Sequence, residues 1–216
     1  MERLPLFPLK GVLFPGAILP LHIFEERYKL MIGRCVDEQG PFGAVLIRSG
    51  EEVGGPAEPY DVGTTARISH VQRLPDGKMN LIALGERRFR IMGLDRSQPY
   101  LTGDVEYLDS EGTDVAEAEE LAGRVAALFG EQVRLVMAIT GQWARLLELP
   151  SQSDRLADFV AGQMDAPVST KQELLETLSL PVRLRREEEL LGDLIRRLTE
   201  RWEKERRKKF AGARLN

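Results

Sequence analysis

Apolar and polar residues alternate over short stretches in the first half of the chain, and prolines and glycines separate these stretches. Such alternation is typical of strands with one buried face. We predict four such strands, at residues 42–47, 64–74, 79–94 and 100–108. The sequence PDGK at residues 75–78 predicts a hairpin turn between two of them.

The opening of the chain combines prolines with many large apolar residues. Pro5 and Pro8 lack backbone donors, which predicts an extended segment at the edge of a sheet. Pro15 and Gly16 predict a turn. Apolar residues then recur at helical spacing between residues 24 and 35. The opening is therefore predicted as a strand, a turn, a second extended piece and a short amphipathic helix.

The apolar spacing becomes helical after about residue 110. Residues 121–139 predict one or two helices, with Gly130 weakening the middle. A shorter helix follows Ser153, and residues 169–178 begin with two overlapping capping-box patterns. Pro181 follows a cap residue at the start of a long last helix.

These patterns together predict an α+β protein. We expect a small, closed or nearly closed antiparallel β-barrel that carries a short helix in residues 1–110. An all-α helical bundle that ends in a long helix is expected in residues 111–209, and a flexible tail in residues 210–216.

Charge and cysteine content narrow the choice of partner and compartment. The formal net charge of −4 gives no general reason to expect nucleic acid or an anionic membrane as a partner. Prolines and Lys10 interrupt the apolar opening, so we predict neither a signal peptide nor a membrane span. Cys35 is the single cysteine, which excludes an intramolecular disulfide and is consistent with a cytoplasmic protein.

The chain carries no familiar catalytic or metal-binding motif. Its one Gly-Lys pair, at residues 77–78, lacks the rest of a P-loop, and HExxH, CxxC and G-x-S-x-G are all absent. His22, His70 and Cys35 are the only soft metal ligands, and a lone histidine is more often structural. We therefore assign no catalytic residue, metal or cofactor.

The segment ERRFR at residues 86–90 is the most basic strand segment. On a strand, Arg88 and Arg90 would share one face, opposite Phe89 and Ile91. Our preferred interpretation is a half-buried strand with a solvated basic face. The alternative is a phosphate or RNA contact on a small barrel.

Several short motifs in one order resemble the N-terminal substrate-binding domain of the Lon protease family. They are LPLFPL, LFPG, LPLHIFEERY, VGTTARI, LPDG, GERRFRI and TKQELLETLSLPVRLRREEELL. The resemblance covers about residues 3–205 and implies a PUA-like barrel followed by a helical bundle. In that family the region recognises unfolded or tagged proteins and helps to assemble the hexamer. The family's AAA+ motor and Ser–Lys peptidase have no counterpart in this sequence, so we expect a stand-alone form without either activity.

The preferred function is a protein- or peptide-binding module, linked to protein quality control or proteolysis. Its candidate contacts are Phe14, Pro15, Phe24, Tyr28 and Tyr60, although helical spacing favours core positions for Phe24 and Tyr28. The expected partners are unfolded or client proteins and a protease or ATPase; the oligomeric state is left open.

Two other functions remain open at this point. RNA binding would require Arg88 and Arg90 on an exposed basic stripe, and we disfavour it. A hydrolase would require a nucleophile with an activating partner in a pocket, and it is the least favoured of the three.

Overall fold

The computed structural model describes residues 2–51, 55, 57–141 and 148–213, with side chains through residue 207. Within these ranges the chain forms six strands and five helices. In chain order they are β1 Glu2–Leu9, β2 Ile18–Ile23, α1 Glu26–Asp37, β3 Phe42–Gly50, β4 Ala57–Arg73, β5 Met79–Asp95, β6 Thr102–Leu108, α2 Ala116–Thr140, α3 Ser153–Gln163, α4 Val168–Glu176 and α5 Leu180–Ala213.

The strands form one sheet in the order β2-β5-β4-β3-β1-β6, and a further pairing between β5 and β6 closes it into a ring. The predicted small barrel with a short helix is therefore confirmed, as is the α+β class. The antiparallel prediction is wrong for one pair, since β1 and β3 run parallel. A parallel pair needs a crossover connection, and β2 with α1 supplies it.

The two prolines of β1 lie inside the sheet, so the prediction of an edge strand is wrong. Residues 2–5 of β1 pair with β6, whereas residues 6–9 pair with β3. Leu6 N–H donates to Leu101 O on the β6 side at 2.8 Å. By alternation, the nitrogen of Pro8 faces that same side beyond the last β6 pair, and that of Pro5 faces β3 before its pairing begins. Each proline nitrogen thus points where no ladder bond is required.

The predicted turns and boundaries are largely confirmed. Gly77, in the PDGK turn, has φ of 78°, and residues 116–140 form one continuous helix. The glycines and prolines of residues 51–63 predict a loop, but β4 begins at Ala57 within this stretch. Residues 52–54 and 56 lie outside the described residues. The predicted tail overlaps α5 through Ala213, and residues 214–216 are not described.

Contacts group the chain into two compact units. The first contains Met1–Ser110 with Pro167–Leu178, and the second contains Glu111–Ala166 with Ser179–Asn216. The boundaries proposed from the sequence stay a prediction. In the first unit the barrel interior and the apolar side of α1 form the core. In the second unit, α2, α3 and α5 share a core; it includes Leu121, Val125, Leu156, Val160 and Leu184.

The barrel wall is closely packed around Phe89, which is fully buried. Three glycines line this region: Gly43, Gly63 and Gly103. A Cβ on Gly63 would lie 2.5 Å from Ala44 O and 2.6 Å from Val45 Cγ1. Backbone atoms cannot move aside as a flexible side chain can. Gly63 is therefore required by the close approach of β3 and β4.

The helix α4 packs with the barrel in the first unit. Gln172 Nε2 donates to Val62 O at 3.0 Å, and Arg88 Nε donates to Leu175 O at 3.0 Å. The predicted capping boxes are wrong, because α4 begins at Val168, which places both predicted cap residues inside the helix. No side-chain cap bond is present at this end of α4.

We expect Gly63→Ala to lower the free energy of unfolding by about 1–3 kcal/mol, because the added methyl group overpacks the wall. Gly33→Ala is the matched control: Gly33 lies inside α1, where an added methyl group would meet no neighbouring atom within 4 Å. That variant should gain about 0.5–1 kcal/mol from helix propensity. Urea denaturation followed by circular dichroism measures both, and equal midpoints would contradict the packing argument.

We expect Arg88→Met to loosen α4 while leaving the barrel folded. A hydrogen bond from a charged donor contributes about 1.5–3 kcal/mol, so amide hydrogen exchange in residues 168–176 should accelerate about tenfold or more. The neighbouring Arg87 is exposed, and Arg87→Met serves as the control. Unchanged exchange in α4 of the Arg88 variant would show that this contact does not hold the helix.

Candidate functional site

A contiguous apolar surface lies on the outside of strands β2 and β5. We call it the β2–β5 face, and it consists of Ile18, Pro20, Phe24, Ile82 and Leu84. The exposed fractions are 70% for Ile18, 45% for Phe24, 42% for Ile82 and 41% for Leu84. Ile18 lies opposite Leu84 in the antiparallel ladder, and Pro20 lies opposite Ile82. Cross-strand neighbours lie within contact distance, so these four side chains form one surface. Phe24 lies at the end of β2, beyond the polar pair of His22 and Asn80.

The alternation within β2 explains why this surface exists. Its inward residues Leu19, Leu21 and Ile23 pack against the barrel core. Its outward residues begin with Ile18 and Pro20, which are as apolar as the inward set. On β5 the inward residues are likewise buried, whereas Ile82 and Leu84 point outward. Both strands thus carry apolar side chains on two faces, and only one face is covered.

Polar side chains border the β2–β5 face, and the ion pair among them carries no net charge. His22 Nδ1 lies 2.7 Å from Asn80 Oδ1, and the His22 ring stacks against Phe24 with centroids 6.1 Å apart. His70 lies opposite Ile82 on β4, so both histidines of the chain adjoin this surface. Arg67, opposite Leu84, forms an ion pair with Glu86. The bond to Glu86 raises the pKa of the Arg67 guanidinium.

The candidate contacts predicted from the sequence lie in different environments. Phe24 is on the β2–β5 face, but Phe14 and Tyr28 are buried, with exposed fractions of 0% and 5%. Pro15 and Tyr60 are half-buried, and the Arg48 guanidinium lies 5.0 Å from the Tyr60 ring centre. These five residues therefore do not form one surface. Their roles in binding stay a prediction.

Phe14 is buried because the turn that carries it closes tightly over the barrel. Thr64 Oγ1 donates to Leu13 O at 2.6 Å, and Gly16 N–H donates to Gly85 O at 2.8 Å. These bonds hold the turn against β4 and β5, and the Phe14 side chain in this turn is fully buried. The candidate contact Phe14 is thus not exposed, although it lies in a turn.

The exposed basic stripe expected from the ERRFR segment is not present. Arg88 is only 4% exposed and donates to the backbone of α4, whereas Arg90 is exposed. The prediction that both arginines share a solvated face is therefore wrong. Strand alternation alone placed Arg88 in solvent, because the position of α4 was unknown.

Two side chains that could act as nucleophiles, Cys35 and Tyr107, have raised pKa values. Burial raises the pKa of Cys35 to about 11, so its thiol is protonated at neutral pH and is a weak nucleophile. Burial, with the bond to Glu2, also raises the pKa of Tyr107 to about 12. Among the described residues, no three His, Cys, Asp or Glu side chains come close enough to hold a metal ion.

In the part of the chain that the structure describes, no helix has the length and apolar content needed to cross a bilayer.

Sequence reasoning missed Ile18, Ile82 and Leu84 as surface residues. The available signal was that β2 carries large apolar residues at both alternating positions.

Comparison with solved structures finds the same fold in bacterial Lon N-terminal domains. The crystal structure of the Lon N-terminal domain protein from Xanthomonas campestris matches with a TM-score of 0.64 and 26% identity, over 86% of this chain and 96% of that one. The N-terminal domain of Mycobacterium avium complex Lon protease matches with a TM-score of 0.63 and 20% identity, over 89% and 99%. The second likeness is one of fold.

Comparison of sequences finds full-length Lon proteases. The Lon protease of Anaeromyxobacter dehalogenans is 32% identical over 192 residues, which is 88% of this chain and 23% of that protein. Lon protease 2 of Myxococcus xanthus is 32% identical over 194 residues, covering 88% and 24%. The chain thus spans about a quarter of the length of these relatives.

The family described as the ATP-dependent protease La (LON) substrate-binding domain matches residues 3–193, which is most of the chain. The match includes every strand of the barrel, the helices α1 to α4 and the first part of α5. The resemblance predicted from the motifs is confirmed. This chain belongs to the family of LON substrate-binding domains.

Proposed function

We propose that this chain is a non-catalytic module that binds uncharged apolar segments of other polypeptides on its β2–β5 face. The family description supports polypeptide binding, since it names a substrate-binding domain of a protease. We further propose that the chain serves cytoplasmic proteolysis or protein quality control, with a protease or ATPase as a partner. Its clients are unfolded or partly unfolded proteins.

The observation that carries this proposal is the continuity of the exposed apolar surface. A single exposed apolar side chain is ordinary, whereas a contiguous group indicates an interaction site. Ile18 and Leu84 face each other across the ladder, and Pro20 and Ile82 form the adjacent pair. Phe24 extends the surface at one end, beside His22.

The charge of the surroundings favours a neutral apolar segment as the occupant. The Arg67 charge beside Leu84 is compensated by Glu86. Near the other end of the face, just before β5, the Asp76 carboxylate forms an ion pair with Lys78. Hydrogen bonds from Lys78 lower the pKa of Asp76. Neither ion pair offers a net charge to an occupant, so a charged segment would lose hydration on this surface without compensation from these groups.

The RNA alternative loses its structural support. It depended on two exposed arginines, and Arg88 is engaged with α4. An isolated exposed Arg90 is ordinary surface charge. No other observation in the described residues favours nucleic acid over polypeptide.

We expect Ile18→Ser to weaken the binding of an unfolded protein about tenfold or more. Burying an isoleucine side chain contributes about 1.5–3 kcal/mol, and about 1.4 kcal/mol corresponds to tenfold in Kd. Because Ile18 is 70% exposed, its replacement should leave the fold intact. The measurement is fluorescence anisotropy with labelled, reduced and carboxymethylated α-lactalbumin.

Met92→Ser is the matched control, because Met92 is another exposed apolar residue of β5 outside the β2–β5 face, at 51% exposure. Its Kd should equal that of the wild type. Equal loss in both variants would indicate nonspecific apolar adsorption. An absence of binding by the wild type would reject the proposed function.

A further inference from the structure

The outer edge of β2 is the free end of the sheet. In the described residues β2 pairs with β5 alone and ends the strand order. Such an edge presents unpaired backbone groups to which another strand can add. Beside it lie the exposed side chains of the β2–β5 face, onto which the side chains of an added strand would pack. The edge and the face together would favour strand addition.

Hydrogen bonds fix which backbone groups of β2 point outward. Gly85 N–H donates to Ala17 O at 2.9 Å, and Gly16 N–H donates to Gly85 O at 2.8 Å, so the backbone of Gly85 faces the β2 side. By alternation along β5, Ala83 and Leu81 also face β2. Ile82 O instead accepts from Ser69 Oγ of β4 at 2.9 Å, as this alternation requires.

The same alternation assigns the residues of β2. Leu19 and Leu21 lie opposite Ala83 and Leu81, and their backbone groups face β5. The backbone groups of Ile18, Pro20 and His22 therefore point away from the sheet. Pro20 has no N–H, so the middle donor of this row is missing. The donors on either side of it, the N–H groups of Ile18 and His22, are four residues apart. This distance is about 13 Å, twice the spacing of successive donors along one edge of a regular strand.

We propose that Pro20 is a specificity-determining residue, which makes the β2–β5 face accept apolar side chains and reject backbone pairing along the β2 edge. The first half of this statement rests on the proposed function. The pyrrolidine ring contributes to the apolar surface. Because its nitrogen carries no hydrogen, one carbonyl of an added strand would have no donor to pair with. Such an unpaired buried acceptor costs about 1–3 kcal/mol. The excluded occupants are a β-strand of a client and the β2 edge of a second copy.

The first test compares the peptide KTVTVTVTK with a version N-methylated at every valine and threonine, which has no ladder donor on either edge of the strand. Wild-type protein should bind the two with the same Kd, within about twofold. Pro20→Val restores the donor and should bind the unmethylated peptide about tenfold tighter than the methylated one. If N-methylation weakens binding to the wild type as much as it weakens binding to Pro20→Val, the proposal is overturned.

The second test needs no ligand, so it separates this inference from the proposed function. Sedimentation velocity over a range of protein concentrations should show more self-association for Pro20→Val and Pro20→Thr than for wild type. Ile18→Val is the matched control on the same strand, because it changes a side chain without adding a backbone donor; it should match wild type. If wild type binds neither peptide, the proposed function fails, whereas increased self-association of the Pro20 variants would still support edge protection. Wild-type levels of association in both Pro20 variants would overturn it.

Discussion

The architecture depends on β5 sharing one of its sides between two strands. Residues 79–84 of β5 pair with β2, and residues 88–95 pair with β6 on the same side. The other side pairs with β4 along nearly the whole length. Closure of the ring uses the second half of β5, so β2 lies outside the ring. A closed barrel has no edges, but this one retains an edge at β2.

Gly85 lies where β5 changes from one partner to the next. A Cβ there would be 2.4 Å from Phe14 O, so only glycine permits the turn to approach so closely. The β4–β5 register shifts beside this residue, which confirms the irregularity indicated by a glycine inside a strand. Phe14, in the turn that approaches Gly85, is fully buried, whereas Ile18 at the start of β2 is 70% exposed. The same short stretch of chain thus carries a buried aromatic side chain and a largely exposed member of the β2–β5 face.

Local patterns predicted the elements well, because turns and alternation act over a few residues. The PDGK hairpin and α1 follow from such signals. Pairing partners depend on residues far apart in the chain, which no local pattern contains. The burial of Arg88 required knowledge of α4, which follows it by some 80 residues and accepts its hydrogen bond at Leu175. The candidate site was therefore predicted only at Phe24, since the other members were interpreted as ordinary strand positions.

Proline illustrates the limit most clearly. The rule that a proline in a strand indicates an edge applied equally to Pro5, Pro8 and Pro20. For Pro5 and Pro8 the nitrogen points to a side of β1 that is unpaired along only part of the strand, so the strand is still interior. For Pro20 the nitrogen points to a side of β2 along which the described residues provide no partner strand. A proline in a strand shows only that no backbone donor is needed at that residue. Whether the strand is an edge strand depends on the pairing of its neighbours. Of the three prolines, Pro20 is therefore the one that can determine what binds there.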